Sequence, residues 1–439
     1  MNARDAANMA LSSYREKGES IEEWFRAVDN EAFSEPRDVP LAMQLAKGVL
    51  QNRMLCDFYI AHFSARPIAS IDPLLLDIMR ISTYQLAFLS KIPRSAAVNE
   101  SVKLASSIAG SRSAGFANAV LRKIAEASRN GSLPELKSKG VKRLSVLYSH
   151  PEMLVRKFRE ELDLESLEKF LASNNAPGIP VTAQINALIT DTDSVLESLR
   201  ADNIECYPHE YLSDCIQIKN MGNIARIKEF AKGGFYIQDA AARMAVIAAD
   251  PASGDLVIDG CAAPGGKSFA AAIMMKDKGK IISYDANNDK LRLVAEGAKR
   301  LMASSIETVA EIPREAAGKA DVVIADVPCS GYGVIRRKPD IRYKDPKAVH
   351  SLGIIQRQIL KNLSDYVRPG GVLLYSTCTV LRNENKDVIV DFLESCRDFS
   401  AEGFELPGGI AAPGGMATLW PHIHGTDGFF ICKMRKKHE

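Results

Sequence analysis

The feature that most constrains this chain is the stretch Asp259-Gly260-Cys261-Ala262-Ala263-Pro264-Gly265-Gly266-Lys267-Ser268. Leu256, Val257 and Ile258 precede it as a short apolar run, and the alanine-rich run 269–275 comes after it. That order predicts a buried strand, a glycine turn and a helix, which presents backbone N–H groups to a ligand at the helix start. Pro264 and the paired glycines force a tight turn, and the missing side chains allow close approach to the backbone. Taken alone, such a turn serves equally well to reverse the chain in any α/β fold. Its weight comes from the strand ends further along the chain.

From 255 onward, strand and helix signals alternate. Strands are expected at 255–260, 280–285, 321–326, 372–377 and 428–434, and helices at 266–275, 288–303, 347–366 and 384–397. Alternation of this kind predicts a mostly parallel, Rossmann-like sheet with helices on both faces. Ligands then bind outside the carboxyl ends of the strands, so the residues ending each strand are the ones that matter. The first strand ends in the glycine turn, and the second in Asp285, where an acid commonly takes the ribose hydroxyls of an adenosine group. The third ends in Asp326-Val327-Pro328-Cys329-Ser330-Gly331 and the fourth in Ser376-Thr377-Cys378-Thr379. Either thiol alone reads as inert buried cysteine. Two thiols at two strand ends, beside an acid, read as chemistry.

The front of the chain is different in kind. At 439 residues the sequence is too long for one typical core, and residues 1–130 carry almost only helical signals. Asp72-Pro73 starts a helix with Leu75, Ile78, Met79, Ser82 and Leu86 on one face. After Ile92-Pro93, a second helix holds Val98, Val102, Ala105 and Ile108, and Gly110 ends it. A third places Phe116, Val120 and Ile124 together, with Arg122 and Lys123 on its other side. Residues 131–150 read as a linker, and 151–235 as a small α/β subdomain built from helix 152–170, strand 181–188, helix 192–201 and strand 214–218. The catalytic portion is expected over 236–439.

Several classes are disfavoured. No run of 18 uncharged apolar residues is present, and the N-terminus lacks the basic-then-apolar pattern of a signal peptide, so a cytoplasmic protein without membrane spans is expected. The eight cysteines include no CxxC pair and no zinc-spaced cluster, so neither metal nor disulfide is expected. His422 and His424 read as loop residues. Net charge is +2, yet residues 91–145 hold 11 Lys/Arg against 3 Asp/Glu while 1–90 hold 9 against 12. A basic sector in a near-neutral chain is the footprint of a surface that meets phosphates.

The residues then carry two resemblances. Asp72, Tyr84-Gln85-Leu86, Ile92-Pro93, Ala97-Val98-Asn99-Glu100 and the run from Phe116 to Arg122 resemble the RNA-binding domain of the antiterminator NusB, over roughly 1–130. The runs 259–267, 326–330 and 376–379, with 333–343 and Thr426-Asp427-Gly428-Phe429-Phe430, resemble the S-adenosylmethionine-dependent RNA cytosine-5 methyltransferases, over roughly 150–435. The resemblance implies a nucleophile at Cys378, a second cysteine, Cys329, that assists release, and an acid, Asp326, against the base and the cofactor. It implies S-adenosylmethionine held by Cys261, Ala262, Ala263, Pro264, Gly265, Gly266, Lys267 and Asp285, with Glu307 and Glu311 the nearest candidates for a further acid near adenine. With the NusB-like front, it implies 16S (small-subunit) ribosomal RNA as substrate; the target cytosine is expected to be flipped or unpaired, because a stacked base cannot be reached, and a monomer is expected, since nothing in the chain suggests an obligate dimer. The alternatives are transfer RNA as substrate, or an inert RNA-binding assembly factor. Arg336, Arg337, Lys338, Arg342, Lys344 and Lys347 crowd the segment after Cys329 and are expected to contact phosphates, as are Arg122 and Lys123.

The chemistry asks for these residue types independently. Carbon 5 of cytosine is a poor nucleophile, and a thiolate adding to carbon 6 makes it enamine-like. A free thiol titrates near ~8.5, so the site must favour the thiolate. A neighbouring acid spreads charge as the adduct forms.

Overall fold

The computed structural model describes every residue except Asn220, 346–348 and Glu439. The chain divides into two compact units. One comprises Met1–Asn175 together with Lys338–Lys344, and the other Ala176–Arg337 with Asp345–Glu439.

The first unit is helical. Its starts obey local chemistry: Asn2 and Ser20 each make a reciprocal capping box, and Asp72 accepts from the Leu75 N–H with Pro73 at the first helical position. Helices Ala3–Lys17, Asp38–Phe63 and Pro73–Phe88 bury Leu11, Leu45, Val49, Ile78, Met79 and Ile81. Arg94–Arg129 runs as one helical element interrupted at Gly110, whose φ of 77° is outside helical space, so the expected two helices are present with the break where the glycine stands. The expected linker is partly a helix, Gly140–Leu147, because Val141, Leu144 and Leu147 form an apolar stripe that Gly, Lys and Ser around them disguise. The expected single helix 152–170 is two, Glu152–Arg159 and Leu164–Ser173, since Asp163 restarts the chain by capping the Ser166 N–H.

The second unit holds two larger sheets. In the smaller, β1 (Val181–Ile185), β2 (Glu205–Pro208), β3 (Cys215–Lys219) and β4 (Phe235–Ile237) pair antiparallel in the order β2-β3-β1-β4. Helix Thr192–Ala201 contributes Val195, Leu196 and Leu199 to the same core as Ala183, Ile185, Ile216 and Ile218.

The larger sheet contains β5 (Leu256–Asp259), β6 (Lys280–Tyr284), β7 (Ile306–Val309), β8 (Ala320–Asp326), β9 (Val367–Thr377) and β10 (Phe399–Ala401). After a hairpin of β11 (Phe404–Leu406) and β12 (Ile410–Ala412), β13 (Met416–Leu419) and β14 (Phe429–Lys436) complete it. The order is β10-β14-β9-β8-β5-β6-β7; β5 to β9 pair parallel and β14 runs antiparallel to β9. Alternate residues face opposite cores. Val257, Ile281, Val322 and Leu374 pack on one side with helices Ala240–Ala249 and Gly266–Met274. Ile258, Ile282, Val323 and Leu373 pack on the other with Leu352–Ser364 and Lys386–Ser395. The chain order reverses between β5 and β8, which opens a crevice at their carboxyl ends.

Candidate active site at the strand ends

The glycine turn closes off β5. Ala262 N–H donates to the Tyr284 carbonyl at 2.8 Å and Ala263 N–H to Asp285 Oδ2 at 3.1 Å, so the loop is tied to the end of β6. Gly265 adopts φ 112°, and a Cβ there would lie 2.3 Å from the Phe269 ring. Beneath the loop, Asp259 is buried and accepts from Ser268 Oγ at 2.7 Å; burial pushes its carboxyl up to about 6.

A cavity of about 310 Å³ opens between the ends of β5 and β6. Gly260, Cys261, Asp285, Glu311, Ile312 and Pro328 are among its walls. Asp285 is already oriented, since Oδ1 accepts from the Asn287 N–H at 2.9 Å while Oδ2 takes Ala263. Of the two further acids considered, Glu311 is on the cavity wall, whereas Glu307 is paired with Lys280 at 2.7 Å.

Asp326 ends β8 with both oxygens engaged. Lys267 Nζ lies 2.6 Å from Oδ2, and Ser376 Oγ donates to Oδ1 at 2.7 Å. Lys267 itself is buried to 7 % exposure, so its partner is chosen for it. On the neighbouring loops, Cys329 and Cys378 bring their sulfurs to 3.3 Å. Cys378 is held below the usual thiol range, chiefly because the Cys329 thiol donates to it; Cys329 is raised well above, by the same contact and by burial. Five of the eight cysteines are buried, and the three that are partly exposed are Cys261, Cys329 and Cys378. Accessibility therefore separates these thiols from the packing cysteines.

The arginines after Cys329 find their partners within the protein. Arg336 donates Nε to Asp427 Oδ1 at 2.6 Å, and Arg337 donates to Asp427 Oδ2 at 2.8 Å and Asp239 Oδ2 at 3.0 Å. Asp427 and Asp239 side chains are only 5 % and 13 % exposed, so the two guanidiniums neutralise carboxylates below the surface and are spoken for. Arg342, in the helical unit, is 1 % exposed and donates to the carbonyls of Gln51, Tyr148 and Ser149 and to Asn175 Oδ1. Burial lowers it to about 10. A side chain so enclosed has no route to a phosphate, and the expectation fails for Arg342; Arg336 and Arg337, only partly buried, are engaged by acids of the protein itself. Lys338 is exposed, as are Arg122 and Lys123, with Arg122 Nε donating to Asn118 Oδ1 at 2.9 Å. Lys344 is exposed too, and Lys347 lies outside the described residues.

Residues to which the sequence reading gave no role in the site complete it. Gly333 N–H donates to the Cys378 carbonyl at 2.9 Å, and Gly428 N–H to the Gly333 carbonyl at 2.9 Å. A Cβ on Gly333 would lie 1.8 Å from the Gly428 carbonyl oxygen, so glycine is required there by contact rather than by turn geometry. Glu384, Asn385 and Gln356 form a buried polar cluster behind the two thiols. The signal available for Glu384 and Asn385 was a polar run at 382–387 soon after β9, in a stretch otherwise read as a helix start. Among the described residues no group of three or more His, Cys, Asp or Glu forms a metal site, and no helix is long and apolar enough to cross a membrane.

A largely parallel sheet reversing at a glycine turn, with acids at the two flanking strand ends, is a Rossmann-like domain, matched here by a methyltransferase family model and accompanied by a NusB-like helical domain. Within that class, the chain belongs to the 16S rRNA methyltransferase RsmB/F family, whose model matches residues 246–435. The NusB family matches 1–126, and the RsmF/B-like ferredoxin-like domain matches 150–225. The chain is 36% identical over 410 residues to the probable ribosomal RNA small subunit methyltransferase B of Bacillus subtilis (strain 168), covering 90% of each. It is 29% identical to the ribosomal RNA small subunit methyltransferase B of Vibrio cholerae, covering 100% of this chain and 98% of that one. Among solved structures, NSun6 from Pyrococcus horikoshii shares the fold at TM-score 0.58 and 21% identity, over 66% of this chain and 99% of that one.

Proposed function

We propose that this protein transfers a methyl group from S-adenosylmethionine to carbon 5 of a cytosine in 16S ribosomal RNA, through a transient bond between Cys378 and carbon 6 of the base. The observation that carries this reading is the thiol pair, 3.3 Å apart and partly exposed, beside Asp326 at the next strand end.

The donor would occupy the crevice between β5 and β6. Its fit rests on the cavity of about 310 Å³ there, whose wall includes Gly260 and Cys261 of the turn and the Asp285 carboxylate. Bound there, S-adenosylmethionine supplies an electrophilic methyl group. Cys378, favoured as thiolate by the Cys329 thiol, adds to carbon 6 and makes carbon 5 nucleophilic. Asp326, anchored by Lys267 and Ser376, would take the base's amino group and ring nitrogen as they gather charge. After methyl transfer, the proton on carbon 5 passes to solvent. The carbon 6–sulfur bond then breaks with its electron pair returning to Cys378, and the Cys329 S–H stabilises the departing sulfur.

The relatives' names point to small-subunit ribosomal RNA, and the exposed Arg122 and Lys123 of the NusB-like domain supply cations suited to phosphates. The target base must leave its stack to be reached, at a cost of a few kcal/mol. The test is 16S RNA transcribed with 5-fluorocytidine, whose carbon 5 cannot lose a proton. A covalent protein–RNA complex is expected with the native protein and not with Cys378→Ala. Undiminished trapping by Cys378→Ala would overturn the reading, as would 5-methylcytosine maps of ribosomal RNA unchanged by removal of the protein.

A further inference from the structure

Two adjacent buried residues hold the two thiol loops. Asn385 brackets Cys378: its Oδ1 accepts from Thr377 Oγ1 at 2.6 Å and its Nδ2 donates to the Thr379 carbonyl at 3.0 Å. Glu384 brackets Cys329: its Oε2 accepts from the Ser330 N–H at 2.8 Å and from Gln356 Nε2 at 3.0 Å. The same Gln356 Nε2 reaches the Pro328 carbonyl at 3.0 Å. Ser330 Oγ joins Thr379 Oγ1 at 2.8 Å, and Tyr375 donates its hydroxyl to the Glu384 carbonyl at 2.6 Å, anchoring the pair to β9.

Glu384 is 0 % exposed, and its Oε1 has no hydrogen-bond partner among the described residues. A buried carboxylate with one oxygen unsatisfied is expensive, and a neutral side chain would hold the loop at lower cost. Holding the Ser330 loop does not by itself call for an acid at this position.

We infer that Glu384 and Asn385 are paired positioning residues that set the distance between the thiols, Asn385 serving bond formation at Cys378 and Glu384 serving release through Cys329. The inference rests on the proposed roles of the two cysteines. Groups facing Cys329 are Cys378, Glu384, Asp326 and Tyr375. The Glu384 carboxylate disfavours a second thiolate there, so Cys329 keeps the proton with which it steadies the departing Cys378 sulfur.

The test uses the full chain with 16S RNA carrying either cytidine or 5-fluorocytidine. Glu384→Ala is expected to trap normally with 5-fluorocytidine but to accumulate covalent complex on ordinary RNA, with turnover lowered roughly 10- to 100-fold. Asn385→Ala is expected to slow trapping itself by a similar factor and to accumulate nothing. Glu384→Gln keeps the acceptor for Ser330 and loses the charge. It should recover most turnover while the alkaline fall-off of the release rate moves to lower pH, which a packing role would leave in place. If Glu384→Ala does not fold, the Glu384→Gln profile alone decides. Equal slowing of one step by both alanine variants, or an unmoved Glu384→Gln profile, overturns the inference while native trapping and its loss in Cys378→Ala leave the enzyme reading intact. Absence of native trapping defeats both.

Discussion

The strand-end loops at 259–267, 326–330 and 376–379 and the basic segment 336–342 stand close in the sequence and stand out equally in it, yet they behave oppositely. The loops converge, with Lys267 on Asp326 and Cys329 on Cys378. The basic segment turns inward: Arg336 and Arg337 pair with Asp427 and Asp239, and Arg342 fills a cage of carbonyls. The loops are anchored by sheet topology, which delivers every parallel strand end to one edge. A run of cations has no such anchor, and its direction depends on acids far away in the chain.

That contrast can be broken or sharpened by mutation. Cys378→Ala should lower methylation by about a thousandfold or more, while calorimetry shows donor binding within a few-fold of native. Weak binding would place the loss in the fold rather than in the thiol. Asp427→Asn leaves two enclosed guanidiniums short of a carboxylate, and denaturant melts should show a loss of about 3–5 kcal/mol. A solvated segment would show almost none. Arg342→Met empties the carbonyl cage in the helical unit and should cost about 2–3 kcal/mol in the same melts, with no change in the salt dependence of RNA binding. A lowered salt slope would return Arg342 to the phosphate-binding set.

Asp259 offers a test by pH. Its folded carboxyl is raised to about 6 from an ordinary value near 3.8, so its contribution is present below the unfolded value and is lost as pH climbs through the folded one. Asp259→Asn should therefore flatten the stability profile between about pH 4 and 6, by on the order of 3 kcal/mol. An unchanged slope would mean that folding does not raise the Asp259 carboxyl. The smallest effect belongs to the exposed cations. Arg122→Ala with Lys123→Ala should weaken RNA binding several-fold and reduce its salt slope by about 1 to 2, leaving the melting temperature unaltered.

Much of the site was legible because its residues sit where a period changes. Asp259, Asp326 and Cys378 each close or follow an apolar run, and helix starts at Asp72, Thr192 and Ala240 carry their own caps or turn signals. Short strands such as β2, β4 and β7 escaped notice because three or four residues do not establish a period, and neighbouring strands rather than local propensity hold them in place. The clamp at Glu384 and Asn385 escaped for another reason. Its meaning lies in hydrogen bonds to Ser330, Thr377 and Thr379, on two different loops.

Along the chain, order and spacing were enough for a helical front, a Rossmann-like back and the loops where chemistry would gather, because hydrophobic period and turn residues act over a few positions. Which charges face solvent, which two thiols meet, and which acid reaches the cavity wall were settled by folding. Those outcomes depend on partners such as Asp427 for Arg336, or Gln51 for Arg342, and no local pattern in the chain announces a partner that far away.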